Sequence, residues 1–327
     1  MFDSFASQIT KATQQAIGKS GSFFESLQVK DVDSLPITNE SFVHLTDRAS
    51  TEPIVFVDGG SAPLFLSPTL CVGVIKVAKV SQSHLPRFKS EVKTATCGVI
   101  IQKTKKEYQV TYSFEAQPLP LPSLINNTDL LFSEFDAQSQ MLAVLNHIRK
   151  LTELIFAQDE KSLVVLDGSL LHRSDPEKAI LSRYTHPVAA VSKTCTLTTS
   201  SGYPITSFLM SQNQSGAWFV NAGESKEYYL LFAKLNSKSE YVFRVDMQKS
   251  VDIQSVLGAL VSNSMDATFI GYPYGLTRAD EAARITTEER LFIKTRITGA
   301  LDPLTLRQLS MLENAANAHD ILDSIKF

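Results

Sequence analysis

The chain alternates between short β-branched runs and longer segments in which apolar residues recur at helical spacing. Three or four strands come first, in "EPIVFVDGG", "TLCVGVIKVAKV" and "ATCGVIIQKTKKEYQVTYSFEA", the last of which divides at "TKKE". Turn residues separate these runs, so we expect a meander of antiparallel strands. A helix follows from about Ser133 to Ala157. Its apolar residues recur every three or four positions, as Leu145, Ile148 and Leu151 do.

Two later strands have no polar face. "SLVVLDG" and "HPVAAVSKTC" are continuously apolar, which is typical of strands that are covered on both sides. The helical pattern "SDPEKAILSRY" lies between them, so we expect two parallel strands joined by a crossover helix. Antiparallel strands, then a helix, a parallel strand, a helix and a parallel strand are the order of the ribonuclease H-like fold. The predicted fold class is therefore α/β, with a ribonuclease H-like mixed sheet flanked by helices.

Smaller elements are predicted at both ends of the chain. An amphipathic helical pattern covers roughly residues 1–30. "EYYLLFAKL" and "EYVFRVDM" predict a β-hairpin inserted into the fold. A helix near Val251–Val261, a short strand at "ATFIGYP" and a helix from about 278 to 296 complete the prediction.

No long linker divides the chain, so we expect one main domain over residues 51–300. A helical extension over residues 1–50 precedes it, and a helical tail over residues 301–327 follows it.

Composition narrows the functional classes. A hydrophobic fraction of 43% over 327 residues supports a large core. Thirty-one Lys and Arg against 34 Asp and Glu give a net charge of −3, so no overall positive field attracts nucleic acid. The three cysteines have no paired spacing, which predicts reduced thiols and no zinc site. With no signal peptide and no apolar stretch long enough for a membrane, we expect a cytoplasmic protein.

Two apolar strands run into an aspartate and a glycine. Asp58 lies in "IVFVDGGSAP" and Asp167 in "LVVLDGSLLH". Parallel neighbours end at the same edge of a sheet, so the two carboxylates would lie side by side. Like charges this close require a cation or a shared proton, which predicts a divalent metal site. An Asp-Gly strand end is also common turn chemistry, and a turn alone would explain either motif taken singly.

The third carboxylate has several candidates. If the last strand of the meander runs parallel to the first, the next helix begins beside Asp58 and Asp167, and its first turn carries Glu134 and Asp136. Glu153 would lie about 28 Å further along that helix, at 1.5 Å per residue. This geometry favours Glu134, with Asp136 second. Oxygen ligands without a histidine or cysteine cluster favour Mg²⁺ or Mn²⁺, and two such ions would catalyse phosphodiester hydrolysis.

Four segments in order along the chain resemble the motifs of one enzyme family. "FVDGGS", "VVLDGSLL", "VAAVSKT" and "IGYPYGLTRADEAARI" are similar to the motifs of the NurA nucleases. These are ribonuclease H-like enzymes that act with the HerA ATPase in DNA-end processing. The resemblance therefore implies a metal-dependent deoxyribonuclease.

The resemblance also implies a set of site residues. The catalytic set is Asp58, Glu134, Asp167, Lys193, Tyr272 and Asp280. Of these, the four acidic residues would bind metal. Asp280 stands where many members carry a histidine, and an aspartate can bind a metal ion but cannot act as a neutral imidazole base. Glu153 is the alternative to Glu134, because it lies 14 residues before Asp167, a spacing closer to that of the family.

Further expectations concern activity and partners. The resemblance implies two Mn²⁺ or Mg²⁺ ions, a single-strand endonuclease and 5′–3′ exonuclease activity, and DNA as substrate. It also implies a homodimer, with the N-terminal extension as a dimerisation element, docked on a hexameric HerA-like translocase. Two alternatives stay open. One is a non-catalytic assembly or DNA-binding subunit of a translocase, which the replacement at Asp280 would suit, and the other is a phosphatase for small substrates.

Overall fold

The computed structural model describes residues 6–11, 13, 26–27, 29, 31–47, 53–84, 87–104, 108–115, 118–121, 137–171, 174–212 and 214–324. The strands are β1 (Asp33–Ser34), β2 (Phe42–His44), β3 (Ile54–Leu66), β4 (Leu70–His84), β5 (Arg87–Lys103), β6 (Tyr108–Phe114), β7 (Leu163–Asp167), β8 (Val188–Ser192), β9 (Trp218–Glu224), β10 (Tyr228–Lys234) and β11 (Phe243–Gln248). The helices are α1 (Ala137–Ala157), α2 (Asp175–Leu181), α3 (Ile205–Ser211), α4 (Ile253–Asn263), α5 (Tyr274–Ala283), α6 (Thr287–Ala300) and α7 (Pro303–Ser324).

The described strands form one mixed sheet. Their order is β1-β9-β10-β11-β8-β7-β3-β4-β5-β6, and β2 also pairs with β9. β3, β7 and β8 are parallel neighbours at the centre, and the other pairs are antiparallel. The predicted mixed sheet flanked by helices is confirmed, as are the meander and the crossover from β7 to β8.

Apolar side chains cover both faces of the central strands. On one face, Val55 and Val57 of β3 join a core with α1, which contributes Leu145, Ile148 and Leu151. On the other face a second core forms against α4 and α5. Successive side chains of a strand point to opposite faces, so a strand between two helical layers has no polar face. This double burial explains why the central strands read as continuous apolar runs.

Two further cores lie at the margins. Trp218 of β9 is 1% exposed and packs with Phe232, Ile205 and neighbouring residues, so it is a core residue. Helices α6 and α7 cover β3 and β4 through Ile293 and Leu309, which contact Leu64, Phe65 and Val74. No helix in the described ranges has the length and hydropathy needed to cross a membrane.

The N-terminal region differs from its prediction. Residues 6–11 and 13 are helical, but Leu27 forms an isolated bridge with Thr199, and residues 33–34 and 42–44 are edge strands of the sheet. The predicted hairpin is present as β10 and β11. It is not an insertion, because β10 pairs with β9 and β11 pairs with β8, so the hairpin lies inside the main sheet.

The C-terminal region also differs from its prediction. "ATFIGYP" was predicted as a strand and forms turns. Gly271 has a φ of 96°, and a Cβ there would collide with the Ser239 side chain, so the chain turns at a residue that must be glycine. The helix predicted over residues 278–296 is two helices. The second begins at the cap Thr286, whose hydroxyl accepts a hydrogen bond from the Glu289 amide.

Candidate active site

Three parallel strands bring polar side chains together at one edge of the sheet. Val57 pairs with Leu166, so Asp58 lies level with Asp167. Asp167 pairs with Val191, so Lys193 follows two residues further along, at the end of β8 on the same edge. Lys193 Nζ lies 3.7 Å from Asp58 Oδ2 and 3.0 Å from Asp167 Oδ2. The predicted neighbourhood of the two strand-end aspartates is therefore present, with the lysine beside both.

The two Asp-Gly motifs have different backbones. β7 ends at Asp167, and Gly168 follows with a φ of 109°, as in a turn. β3 instead continues through Asp58 to Leu66, paired with β4 throughout. The prediction that this strand ends at Asp58 is therefore wrong. The pairing of β3 with β7 ends at Val57, just before Asp58. The gap in the sheet beyond this point opens the site.

Gly59 allows a carboxylate from α1 to approach the gap. A Cβ at Gly59 would overlap the side chain of Glu153. Arg149, one turn earlier on α1, forms an ion pair with Glu153 and donates a hydrogen bond of 2.9 Å to the Gly59 carbonyl. Glu153 is 5% exposed. The glycine after Asp58 is thus required by the close approach of Glu153 and not by a turn.

Three aspartates surround the ammonium group of Lys193. Besides Asp58 and Asp167, its ammonium group contacts Asp280 Oδ1 at 3.1 Å. Asp280 also contacts Arg284 at 3.2 Å. Burial alone would raise the pKa of Asp280, but the hydrogen bonds and charges of Lys193 and Arg284 outweigh it and lower the pKa. Asp280 is consequently an ionised residue that holds Lys193 in place.

Asp58 carries the most perturbed carboxyl group of this cluster. Its pKa is raised to about 8, mainly by burial and then by the charges of Asp167 and Glu153. Lys193 and the Gly59 amide, which donates a hydrogen bond of 2.7 Å to Oδ1, oppose the increase only in part. Oδ2 is buried and accepts no hydrogen bond from the described residues. An oxygen atom in this state gains strongly from a bound cation.

Tyr272 lies behind Asp167 and contacts its carboxylate. It is 3% exposed, and its phenol donates a hydrogen bond of 3.2 Å to Asp167 Oδ1. Burial, with the charges of Asp167 and Asp58, raises the pKa of Tyr272 well above its ordinary range. The phenol therefore stays neutral and orients Asp167 as a hydrogen-bond donor. Its ring also lies 5.6 Å from Lys193 Nζ, within cation–π range.

The donor atoms fit a divalent cation in chemistry, although the side chains do not form a finished coordination shell. Within the described ranges, no three His, Cys, Asp or Glu side chains are grouped tightly enough to hold a metal ion. Lys193 supplies the positive charge among the aspartates. Among the described residues the buried Oδ2 of Asp58 still lacks a hydrogen-bond donor, and the neighbouring carboxylates offer oxygen ligands, which Mg²⁺ and Mn²⁺ prefer. Asp58, Asp167 and Glu153 are the residues that could hold such an ion.

A buried ion pair fixes the loop after Asp167. Asp246 Oδ2 accepts hydrogen bonds from the Ser169 hydroxyl at 2.6 Å and from the Leu170 amide at 2.8 Å. Arg244 donates to both Asp246 oxygens, at 2.8 and 2.9 Å, and to the Ser169 hydroxyl at 2.8 Å. None of the predicted site residues belongs to this group. The signal was present, because Arg244 and Asp246 alternate with apolar residues in "FRVDM" and so share one face of a strand.

The site opens into a cavity of about 520 Å³. Asp58, Glu153 and Asp167 form its acidic part, and Arg149, Lys150 and Arg244 form a basic part beside it. Such a cavity can bind a phosphodiester, because the basic groups attract the phosphate while the carboxylates bind cations.

Glu134, the first choice for the third carboxylate, lies outside the described residues, as does Asp136. The geometric reason for choosing Glu134 is wrong. β3, β4, β5 and β6 pair antiparallel in succession, so β6 runs opposite to β3. Residue 137, where the described helix begins, lies about 24 Å along the helix axis from Glu153, at 1.5 Å per residue. The structure places Glu153, the alternative, next to Asp58.

Comparisons with known proteins agree with the fold and with the family resemblance. The NurA domain family model matches residues 52–285. The crystal structure of the NurA nuclease from Sulfolobus solfataricus has a TM-score of 0.52 at 14% identity, over 91% of this chain and 93% of that chain. No curated protein sequence matches the chain.

Endonuclease V structures are also similar, at lower scores. The human catalytic domain has a TM-score of 0.35 at 11% identity, over 79% of this chain and 92% of that chain. The Ciona intestinalis enzyme, in complex with a DNA that contains inosine, has a TM-score of 0.39 at 11% identity, over 78% and 92%. These scores are too low to carry an argument about the site.

The fold and the site define an α/β protein with a carboxylate and lysine cluster at the edge of a ribonuclease H-like sheet. The family model covers more than half of the chain, so the chain belongs to the NurA family. The resemblance inferred from the four motifs is confirmed.

Proposed function

We propose that this protein is a metal-dependent DNA nuclease. The observation that carries the proposal is the buried Oδ2 of Asp58, which lies among Asp167, Glu153 and Lys193 and accepts no hydrogen bond within the part of the chain that the structure describes. Membership of the NurA family supports a nuclease, and the acidic and basic parts of the cavity suit a phosphodiester. Mn²⁺ or Mg²⁺, in one or two positions, would stabilise the attacking and leaving oxygens of an in-line displacement.

The protein's own residues have separate tasks in this proposal. Asp58 and Asp167 would bind the cation, and Glu153 would supply the third carboxylate. Lys193 would move its ammonium from the aspartates to the phosphoryl oxygens, where it would neutralise developing charge. Tyr272 would keep Asp167 oriented through its neutral phenol. Asp280 would hold Lys193 near the site, so its role would be positioning as well as any contact with a metal.

The finer expectations are part of the same proposal. We infer single-strand endonuclease and 5′–3′ exonuclease activity, homodimerisation and action with a HerA-type translocase, from membership of the family. Exposed apolar side chains on α6 and α7 support a protein interface there. They are Leu291, Phe292, Leu304, Met311 and Leu312, all at least 40% exposed. Light scattering of the purified protein tests the homodimer, and a monomer at micromolar concentration would contradict it.

One observation favours the alternative of a non-catalytic assembly or DNA-binding subunit. Lys193 already contacts Asp58, Asp167 and Asp280, so the protein's own lysine compensates part of the negative charge of the cluster without a metal ion. Mn²⁺ binding separates the two proposals. Electron paramagnetic resonance of free Mn²⁺ should show binding by the intact protein and weaker binding by Asp167→Asn. Absence of binding in the intact protein, together with no cleavage of single-stranded DNA, would favour the assembly role.

Cleavage assays then test the substrate class. The intact protein should hydrolyse a labelled single-stranded oligonucleotide in the presence of Mn²⁺ and should not hydrolyse a small phosphate monoester. The reverse result would favour the small-substrate phosphatase.

A further inference from the structure

A second cavity adjoins the candidate active site. Its volume is about 550 Å³, and Ser192, Lys193 and Cys195 line both cavities. A DNA strand whose phosphate lies at Lys193 therefore has a continuous path into this second space. None of the roles proposed for the active-site residues involves this second cavity.

The lining of this cavity matches a nucleobase. Tyr241, Phe243 and Met210 supply flat or deformable apolar surface. Thr206, Ser207 and Ser211 supply hydroxyl groups, and Glu240 supplies a carboxylate acceptor. These groups suit a ligand with apolar faces and a hydrogen-bonding edge, and they lack the cluster of positive charge that a phosphate would require.

Aromatic rings connect the cavity to the site. Tyr241 is stacked on Phe269, with ring centroids 5.2 Å apart and planes 24° apart. Phe243 lies 6.3 Å from Tyr241 and 5.2 Å from Tyr272, whose ring is 5.6 Å from Lys193 Nζ. Only a few ring contacts thus separate Tyr241 from the lysine that would face the scissile phosphate.

Tyr241 is available for a further stacking partner. Its side chain is 54% exposed, although one face of the ring already rests on Phe269, which is itself 41% exposed. When a base stacks on an exposed aromatic ring, apolar ring surface is removed from water, which favours binding. An exposed, supported ring next to a phosphate site is the arrangement by which proteins bind single strands without sequence preference.

We propose that Tyr241, supported by Phe269, is a stacking platform for a nucleobase that flanks the scissile phosphate, with the second cavity as its binding pocket. The proposal rests on the proposed nuclease function and adds the part of the substrate that is recognised. It assigns base stacking to a residue outside the four family-like motifs. It also explains how a protein with a net charge of −3 can retain a strand beyond its few phosphate contacts.

An abasic scan tests the proposal. Single-stranded oligonucleotides of one sequence, each with one abasic position, are cut by the intact protein, Tyr241→Ala, Tyr241→Phe and the control Phe114→Ala in Mn²⁺. Like Tyr241, Phe114 is an exposed aromatic residue, at 41%, but it ends β6, at the far edge of the sheet. For the intact protein we expect one position near the cut where loss of the base lowers kcat/KM on the order of tenfold.

The variants decide whether Tyr241 is responsible. Tyr241→Ala should cut the unmodified strand about tenfold more slowly and should lose the sensitivity at that position, while Tyr241→Phe and Phe114→Ala keep it. If the intact protein cuts every abasic strand equally, or if Tyr241→Ala keeps the position-dependent loss, the stacking proposal is overturned and nuclease function stands. If the intact protein cuts none of the strands, the failure lies in the nuclease proposal.

Discussion

The raised pKa of Asp58 has a consequence for the stability of the metal-free protein. In the folded protein the carboxyl has a pKa of about 8, against an ordinary value of 3.8. Between these two values the folded state binds more protons than the unfolded state, so stability falls as the pH rises through this window. We therefore expect Asp58→Asn to be more stable than the intact protein at neutral pH in EDTA, and equally stable near pH 4.

The size of the expected stability difference follows from the two pKa values. At about pH 7 the unfolded carboxyl is ionised and must take up a proton on folding. At 1.36 kcal/mol per pH unit between 3.8 and 7, this costs about 4 kcal/mol. Local relaxation raises the effective dielectric around buried charges, which reduces the cost, so we expect a gain of about 2 kcal/mol for the variant. Asparagine also keeps an oxygen that can accept the hydrogen bond from the Gly59 amide.

Urea unfolding at several pH values measures the difference between the two proteins. Asp280→Asn is the matched control, because the pKa of Asp280 is lowered in the folded protein and its loss should decrease stability at neutral pH. Mn²⁺ should stabilise the intact protein and have little effect on Asp58→Asn. The reasoning is refuted if Asp58→Asn is less stable than the intact protein at pH 7, or if their difference does not shrink towards pH 4.

Other variants test the packing around the site. Gly59→Ala should lower kcat on the order of 100-fold, because the added Cβ displaces Glu153. The control Gly299→Ala should have normal activity, because among the described residues its added Cβ meets no atom within 4 Å beyond its own stretch of helix. Normal kcat in Gly59→Ala would exclude a role for the Glu153 position. Arg244→Met should lower the free energy of unfolding by about 3–5 kcal/mol in urea titrations, because it leaves Asp246 buried without its cation. An unchanged urea midpoint would contradict this account of the ion pair.

Part of the site is predictable from local pattern. Asp58 and Asp167 each follow an apolar run, and Lys193 follows the next one, so three neighbouring parallel strands deliver all three side chains to one edge. Side-chain alternation along each strand places them on a common face. None of this requires knowledge of distant contacts.

Glu153 could not be selected by the same reasoning. Its position depends on the direction of β6, and the sequence does not show that β6 is antiparallel to β5 and therefore opposite to β3. It depends as well on the gap beyond the end of β7, where Gly59 leaves room for the carboxylate. Both are properties of the assembled sheet. The spacing to Asp167 in the family motif was the one signal for Glu153 in the sequence.

The errors in the fold have local physical causes. "ATFIGYP" has the composition of a strand, but its aromatic residues Phe269 and Tyr272 pack on Phe243, and Gly271 turns the chain. β9 was missed because "WFVNAGE" ends in residues with low strand preference, although it is buried between β10 and the edge strands. In both segments tertiary packing overrides local preference.

The most direct test of the account is the rate at which a labelled single-stranded oligonucleotide is cut in Mn²⁺ by the intact protein, Glu153→Gln and Glu134→Gln. Glu281→Gln is the matched control. Glu281 follows Asp280 on α5, is half exposed and pairs with Arg278. We predict cutting by the intact protein, Glu134→Gln and Glu281→Gln, and a loss of at least 100-fold in Glu153→Gln. Normal cutting by Glu153→Gln, with loss in Glu134→Gln, would contradict the proposed site.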